Sequence, residues 1–164
     1  VGGLDGMRIS PLLPFDLERL ELLFPALGPY YRERARQPGL VLVARVGTRP
    51  VGAMHVSLRP AHEPEVIRRL GPVPMLHKLM VAEPVRGRRV GTRLIGAAEA
   101  ALRSRGERRV AVGVDVGNAG AARLYRRLTY REWAHGPLDT VRERVEGGKT
   151  IVEPDQCLLF VKYL

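Results

Sequence analysis

Along residues 110–116, Val110, Val112, Val114 and Val116 alternate with Ala111, Gly113 and Asp115, which is the period of a strand with two different faces. Two earlier runs rich in aliphatic and β-branched residues, 40–46 and 51–58, are separated by Gly47, Thr48, Arg49 and Pro50. They predict an antiparallel hairpin. Residues 7–13 are β-compatible but broken by Pro11 and Pro14, which suits an edge or first strand, and a further strand is predicted over 75–81. Between these runs the apolar period becomes helical. Leu17, Leu20 and Leu23 follow Asp16, read as an N-cap, and Pro25 ends the run. Residues 30–37 form a second, Arg-rich helical piece whose charges read as a solvated face. Leu94, Ile95, Ala98, Ala101 and Leu102 recur at helical spacing with Gly106 as C-cap, and Ala121, Leu124, Tyr125 and Leu128 share one face of a helix over 119–128.

Residues 59–74 contain four prolines and a short helical patch near 66–70, as expected of an excursion between strands. Two last strands are expected near 130–134 and over 157–163, with the polar segment between them as a long hairpin loop. The strand, helix and strand of residues 75–116 make one βαβ unit and so one parallel pair, whereas the earlier strands pair antiparallel. The fold class expected is therefore mixed α/β (α+β), with a mostly antiparallel central sheet and helices on both faces, and not a doubly wound sheet.

A chain of 164 residues is expected to form one domain, residues 7–164, preceded at 1–6 by VGGLDG as a short leader or cloning scar. No apolar run approaches the ~20 residues of a membrane span and no signal-peptide pattern opens the chain, so a soluble, cytoplasmic protein is expected. The single cysteine, Cys157, agrees with a reducing compartment and reads as a core residue. A net charge of +10 raises the question of nucleic acid or acidic ligands. The arginines are scattered along the whole chain and no nucleic-acid-binding signature is present, which argues against nucleic acid. No His, Cys or carboxylate cluster has metal-ligand spacing; His62 and Glu63 read as exposed polar residues.

The chemistry concentrates in residues 76–96, LHKLMVAEPVRGRRVGTRLIG. A strand turns through Glu83 and Pro84, passes Arg86, Gly87, Arg88 and Arg89, and enters a helix near Gly91. A helix start exposes unpaired N–H groups and the positive end of the macrodipole, so this turn is expected to bind phosphates.

VRGRRVGTRLI resembles the coenzyme A pyrophosphate loop of the GCN5-related N-acetyltransferases (GNAT), with Arg86 and Gly91 at the ends of the pattern and Arg89 where a glycine is usual. NAGAARLYRRLTY resembles a second segment of the same family through Asn118, Ala121, Leu124, Tyr125 and Tyr130, with Thr129 in place of a glycine. The resemblance implies an acyl-CoA N-acyltransferase-like fold and transfer of an acetyl group from acetyl-CoA to a primary amine of a small molecule or protein, by direct attack in a ternary complex. A longer acyl donor is one alternative, and a non-catalytic acyl-CoA-binding regulatory module is another; a homodimer is left open. It also implies that backbone at Leu79, Met80 and Val81 holds the pantetheine arm, that N–H groups of Arg86, Gly87, Arg88, Arg89, Val90, Gly91 and Thr92 hold the pyrophosphate, that Asn118 touches the cofactor, and that Tyr125 protonates the departing thiolate. For the base that receives the amine's proton, His77 is the candidate, with Glu83 and His55 as other options.

Overall fold

The computed structural model describes residues 4–164. The chain runs β1 (Arg8–Pro11), α1 (Asp16–Leu23), α2 (Gly28–Arg34), β2 (Gly39–Val46), β3 (Arg49–Ser57), α3 (Pro64–Leu70), β4 (Met75–Val81), a 3-10 turn (Glu83–Val85), α4 (Val90–Ser104), β5 (Arg109–Asp115), α5 (Ala119–Arg127), β6 (Arg131–Glu132), β7 (Leu138–Glu146) and β8 (Lys149–Tyr163). One sheet joins the strands in the order β1-β2-β3-β4-β5-β8-β6, with β7 also on β8. Among the described residues only β4 and β5 pair in parallel. No helix among the described residues is long and apolar enough to cross a membrane. Of the leader expected at 1–6, the first three residues lie outside the described residues; Leu4 packs against the main core.

The alternation in the strands decides what lies on each face. Met54, Val56, Leu76, Val112 and Phe160 point to one face, where Leu94, Ile95 and Leu102 of α4 and Tyr125 of α5 complete the main cluster. Gly52 lets α4 press onto β3: a Cβ there would lie 2.9 Å from the Met80 carbonyl oxygen and 3.2 Å from Val90 and Leu94 side-chain carbons. The opposite face carries two separate clusters. One joins Leu20, Phe24 and Tyr31 to Val41, Val43 and Ala53; the other joins Val66 and Val73 to Met75, Ala111, Leu138 and Leu159. Between them the sheet is bare of helix.

Three expectations need correction. Asp16 does not cap α1: it is the first helical residue, and its carboxylate turns inward to Leu13 N–H (2.7 Å) and to the Arg45 guanidinium. The segment expected to be a long loop is a β-hairpin, β7 and the first half of β8, joined at Gly147 and Gly148. The strand expected near 130–134 shrinks to Arg131–Glu132.

Thr129 has φ 69° and closes α5 as a Schellman motif, with Tyr130 N–H on the Tyr125 carbonyl (3.0 Å) and Thr129 N–H on the Arg126 carbonyl (3.0 Å). A β-branched residue at left-handed φ is strained by about 1–2 kcal/mol. Thr129→Gly is therefore expected to raise stability by about 1 kcal/mol, read as a melting temperature higher by roughly 2–4 °C; an unchanged or lower value would show that the Thr129 hydroxyl, bonded to the Leu128 carbonyl (2.6 Å), offsets the strain.

Candidate functional site

The parallel pair is short. Met75 faces Ala111 and Leu76 faces Val112, and beyond these no residue of β4 is paired with β5. The cause lies on the other side of β4. There His55 pairs with His77 and Ala53 with Met80, so Lys78 and Leu79 together oppose Met54 as a bulge, with Lys78 at φ 49°. The Tyr31 hydroxyl, from α2, donates to the Lys78 carbonyl (2.5 Å) and pins the bulge. The opening between the strands is a cleft of about 210 Å³, lined by Leu79 and Gly113 across the gap and by Asn118, Ala121, Leu124 and Tyr125.

The basic turn adjoins this cleft. A Cβ on Gly91 would lie 3.5 Å from Leu79 and 3.9 Å from Leu124, both cleft residues. The α4 ladder begins with Arg93 N–H on the Arg89 carbonyl (3.0 Å), so the N–H groups of Val90, Gly91 and Thr92 precede it and are free to donate, whereas two of the donors expected from the sequence are engaged, Arg86 N–H on the Glu83 carbonyl (3.2 Å) and Arg88 N–H on the Val85 carbonyl (3.4 Å). Arg89, at φ 64°, is the N-cap, and Gly87, at φ 74°, has no heavy atom within 4 Å of the position its Cβ would take. The side chains of Arg86, Arg88 and Arg89 are exposed, and Arg86 Nε donates back to the Val81 carbonyl (3.1 Å). Free donors, an open backbone and three cations beside a cleft between strands fit a long, polyanionic ligand.

Asn118 caps α5, its side-chain oxygen accepting from Ala121 N–H (3.0 Å). Tyr125 is buried at the cleft wall, edge-on to Tyr130 (5.2 Å between ring centres), and burial pushes its phenol further above the ordinary value. Tyr130 is held in turn by Glu99 (3.0 Å). His77 lines this cleft and also a second cavity of about 230 Å³ on the opposite face, in the gap between the two smaller clusters. His77 stacks on His55 (5.4 Å), and burial lowers His77 to a pKa of about 4 and His55 to about 3, so both are neutral near pH 7. Glu83 sits exposed in the 3-10 turn. Cys157 belongs to one of the smaller clusters, its thiol pushed up to about 11 by burial. Among the described residues no group of three His, Cys, Asp or Glu side chains could hold a metal ion.

The second cavity collects residues that the sequence left apart. Arg34, read as part of a solvated face, is half-buried there; Glu63, read as exposed, is half-buried and accepts from the Thr140 hydroxyl (2.7 Å). The hydroxyl of Tyr30 lies 2.8 Å from His55 Nδ1. Their separations in sequence, 25 residues for Tyr30 and His55 and 77 for Glu63 and Thr140, leave no local motif. The one signal available was a pair of histidines at inward positions of two neighbouring apolar strands.

Residues 11–130 match a family described as "Acetyltransferase (GNAT) family". No curated protein matches the sequence. Among solved structures, Arabidopsis thaliana NAA60 in complex with a bisubstrate analogue is 24% identical, with a TM-score of 0.67 over 96% of this chain and 97% of that one. A ribosomal-protein-alanine N-acetyltransferase from Brucella melitensis is 22% identical, with a TM-score of 0.69 over 96% and 99% of the two chains. A GNAT family acetyltransferase from Elizabethkingia anophelis with acetyl-CoA bound is 16% identical, with a TM-score of 0.63 over 98% and 99%. At these identities the likeness is one of fold.

Proposed function

The chain belongs to the acetyltransferase (GNAT) family, and from that membership we propose that it transfers the acetyl group of acetyl-CoA to the primary amine of an acceptor bound in the second cavity. The observation that carries this reading is the position of His77, which lines both the cleft beside the phosphate-attracting turn and the cavity on the far face. A thioester held in the cleft and an amine held in the cavity meet there.

Acetyl-CoA supplies an acyl carbon activated by a good leaving group. The chain's residues do the rest. The N–H groups of Val90, Gly91 and Thr92, with those of Gly87 and Arg89, take the pyrophosphate, while the side chains of Arg86, Arg88 and Arg89 add charge. Backbone of Leu79, Met80 and Val81, unpaired with β5, takes the amide-bearing arm, and Asn118 borders it. The neutral amine attacks the acyl carbon, a C–N bond forms and the C–S bond breaks. The Tyr125 hydroxyl donates a hydrogen bond to the departing sulfur as negative charge develops on it, and the released thiolate takes its proton from solvent. The attacking nitrogen becomes strongly acidic as the C–N bond forms, so even an imidazole as weakly basic as His77 can accept its proton and pass it to solvent.

The test has two stages: calorimetric titration with acetyl-CoA, then CoA release across a panel of amines. Binding followed by amine-dependent release is expected. Absence of binding overturns the proposal, and binding without turnover across amines and acyl donors favours the regulatory-module alternative.

A further inference from the structure

Two polar atoms of the second cavity are buried without a partner among the described residues: His55 Nε2 and Arg34 Nε. Both residues line the same 230 Å³ space, and His55 is only 3% exposed. Buried polar groups are almost always bonded, so two orphans on residues that line one cavity make that space the place where a ligand would supply their partners.

What the ligand must bring follows from what holds these groups. Burial pushes the Tyr30 phenol up to about 12, so it keeps its proton, and the neutral His55 ring is the better acceptor of the pair. Tyr30 therefore donates to His55 Nδ1 across their 2.8 Å contact, which leaves the imidazole proton on Nε2. Arg34 Nε is a donor in any state. Its guanidinium is fixed by stacking on Tyr30 (4.9 Å to the ring centre) and by donation from Nη1 to Gln37 Oε1 (2.9 Å). Both orphans are thus donors, and Arg59 and Lys78 line the cavity with them. The matching ligand group is an oxyanion. Two carboxylates line the cavity as well: Glu63, held by Thr140, whose charge acts on His77, and the exposed Glu143, whose charge acts on Tyr30 less strongly than that of Arg34.

We infer that the acceptor is a small amine that itself carries a carboxylate, bound with the carboxylate on Arg34 and His55 and the amine toward Glu63 and His77, and that Arg34 selects for it. The inference rests on the acetyltransferase reading for its amine end alone. The volume agrees with a small acceptor, since it lies below the roughly 300–1,000 Å³ of pockets for drug-sized ligands.

Matched pairs of amino carboxylates and their isosteric amino amides test it by kcat/KM for CoA release. The carboxylate member is expected to be preferred by about 10²-fold or more, because the amide gives the Arg34 guanidinium no counter-charge. Arg34→Gln should collapse that preference through KM, and Arg34→Lys, which keeps the charge, should restore part of it. Equal use of carboxylate and amide, or a preference that Arg34→Gln leaves intact, overturns the inference while the acetyltransferase reading stands. A second arm needs no turnover: calorimetry of the amino carboxylates with the CoA-loaded and the free protein. Binding that Arg34→Gln abolishes supports the carboxylate site even if no acetyl transfer is found, and absence of binding to either form overturns it.

Discussion

Arg45→Met is expected to cost about 3–5 kcal/mol of folding stability, seen as a melting temperature lower by roughly 6–20 °C. Arg45 and Asp16 are both buried, at 5% and 0% exposure. The guanidinium meets the carboxylate in two-pronged fashion, Nε on Oδ1 at 2.7 Å and Nη2 on Oδ2, and its remaining donors go to the Ser10 hydroxyl (2.6 Å), the Pro11 carbonyl (3.1 Å) and the Val43 carbonyl (3.4 Å). The pair ties α1 to β1 and β2. With methionine the volume is kept and the charge partner is lost, so Asp16 remains buried with only the Leu13 N–H to solvate it. The loss comes from that stranded carboxylate and not from the worth of the pair itself. The double replacement Asp16→Leu with Arg45→Met should therefore recover most of the stability. Thermal and denaturant melts of the three proteins decide the matter: a single variant as stable as the parent, or a double variant no better than the single, would show that the ion pair is not sealed from water.

The same residue shows what a sequence gives up readily and what it withholds. The helix at Asp16 was legible because the leucine period and Pro25 bound it, but the inward turn of the carboxylate depends on Arg45, 29 residues away. The main sheet was legible for a similar reason: β2, β3, β4 and β5 are half-buried, and burial imposes alternation on their residues. β7 and the first half of β8 carry charges on both faces, so no apolar period marks them. They are held by the backbone ladder and by cross-strand pairs such as Arg142 with Asp155 (2.9 Å) and Arg144 with Glu153 (3.0 Å). Pro154 suggested a loop, yet it sits where β8 is paired on one side only, which a strand tolerates. The two departures from the family pattern, Arg89 in the phosphate-attracting turn and Thr129 just after α5, occupy left-handed backbone positions, at φ 64° and 69°. The glycines usual there answer a backbone requirement, and this chain meets it with residues that bear the strain. The second cavity was the least legible part, because it is made by packing α2, residues 59–63 and β7 against the middle of the sheet, and no local signal records that.

Tyr125→Phe is expected to lower kcat by roughly 10²-fold while leaving the acetyl-CoA dissociation constant within about twofold. The ring makes the packing contacts, against Tyr130 and the main cluster, and phenylalanine keeps them. Burial is what raises the phenol, and among the described residues no side chain or backbone group hydrogen-bonds to it, so removing the oxygen strands no partner there. What is lost is a donor at the wall of the cleft. A thiol of ordinary pKa ~8.5 is a stronger acid than a phenol at ~10, and burial widens that gap for Tyr125. Full proton transfer to a free thiolate is therefore uphill, and the hydroxyl acts by bonding to the sulfur as negative charge develops on it, an interaction that strengthens in a cleft of low polarity. The same upward shift keeps Tyr125 protonated throughout the usable pH range, so the alkaline limb of the kcat profile should have the same midpoint in the parent and in Tyr125→Phe. A parallel loss of acetyl-CoA affinity would make Tyr125 a binding group, and an unchanged kcat would remove it from the transfer step altogether.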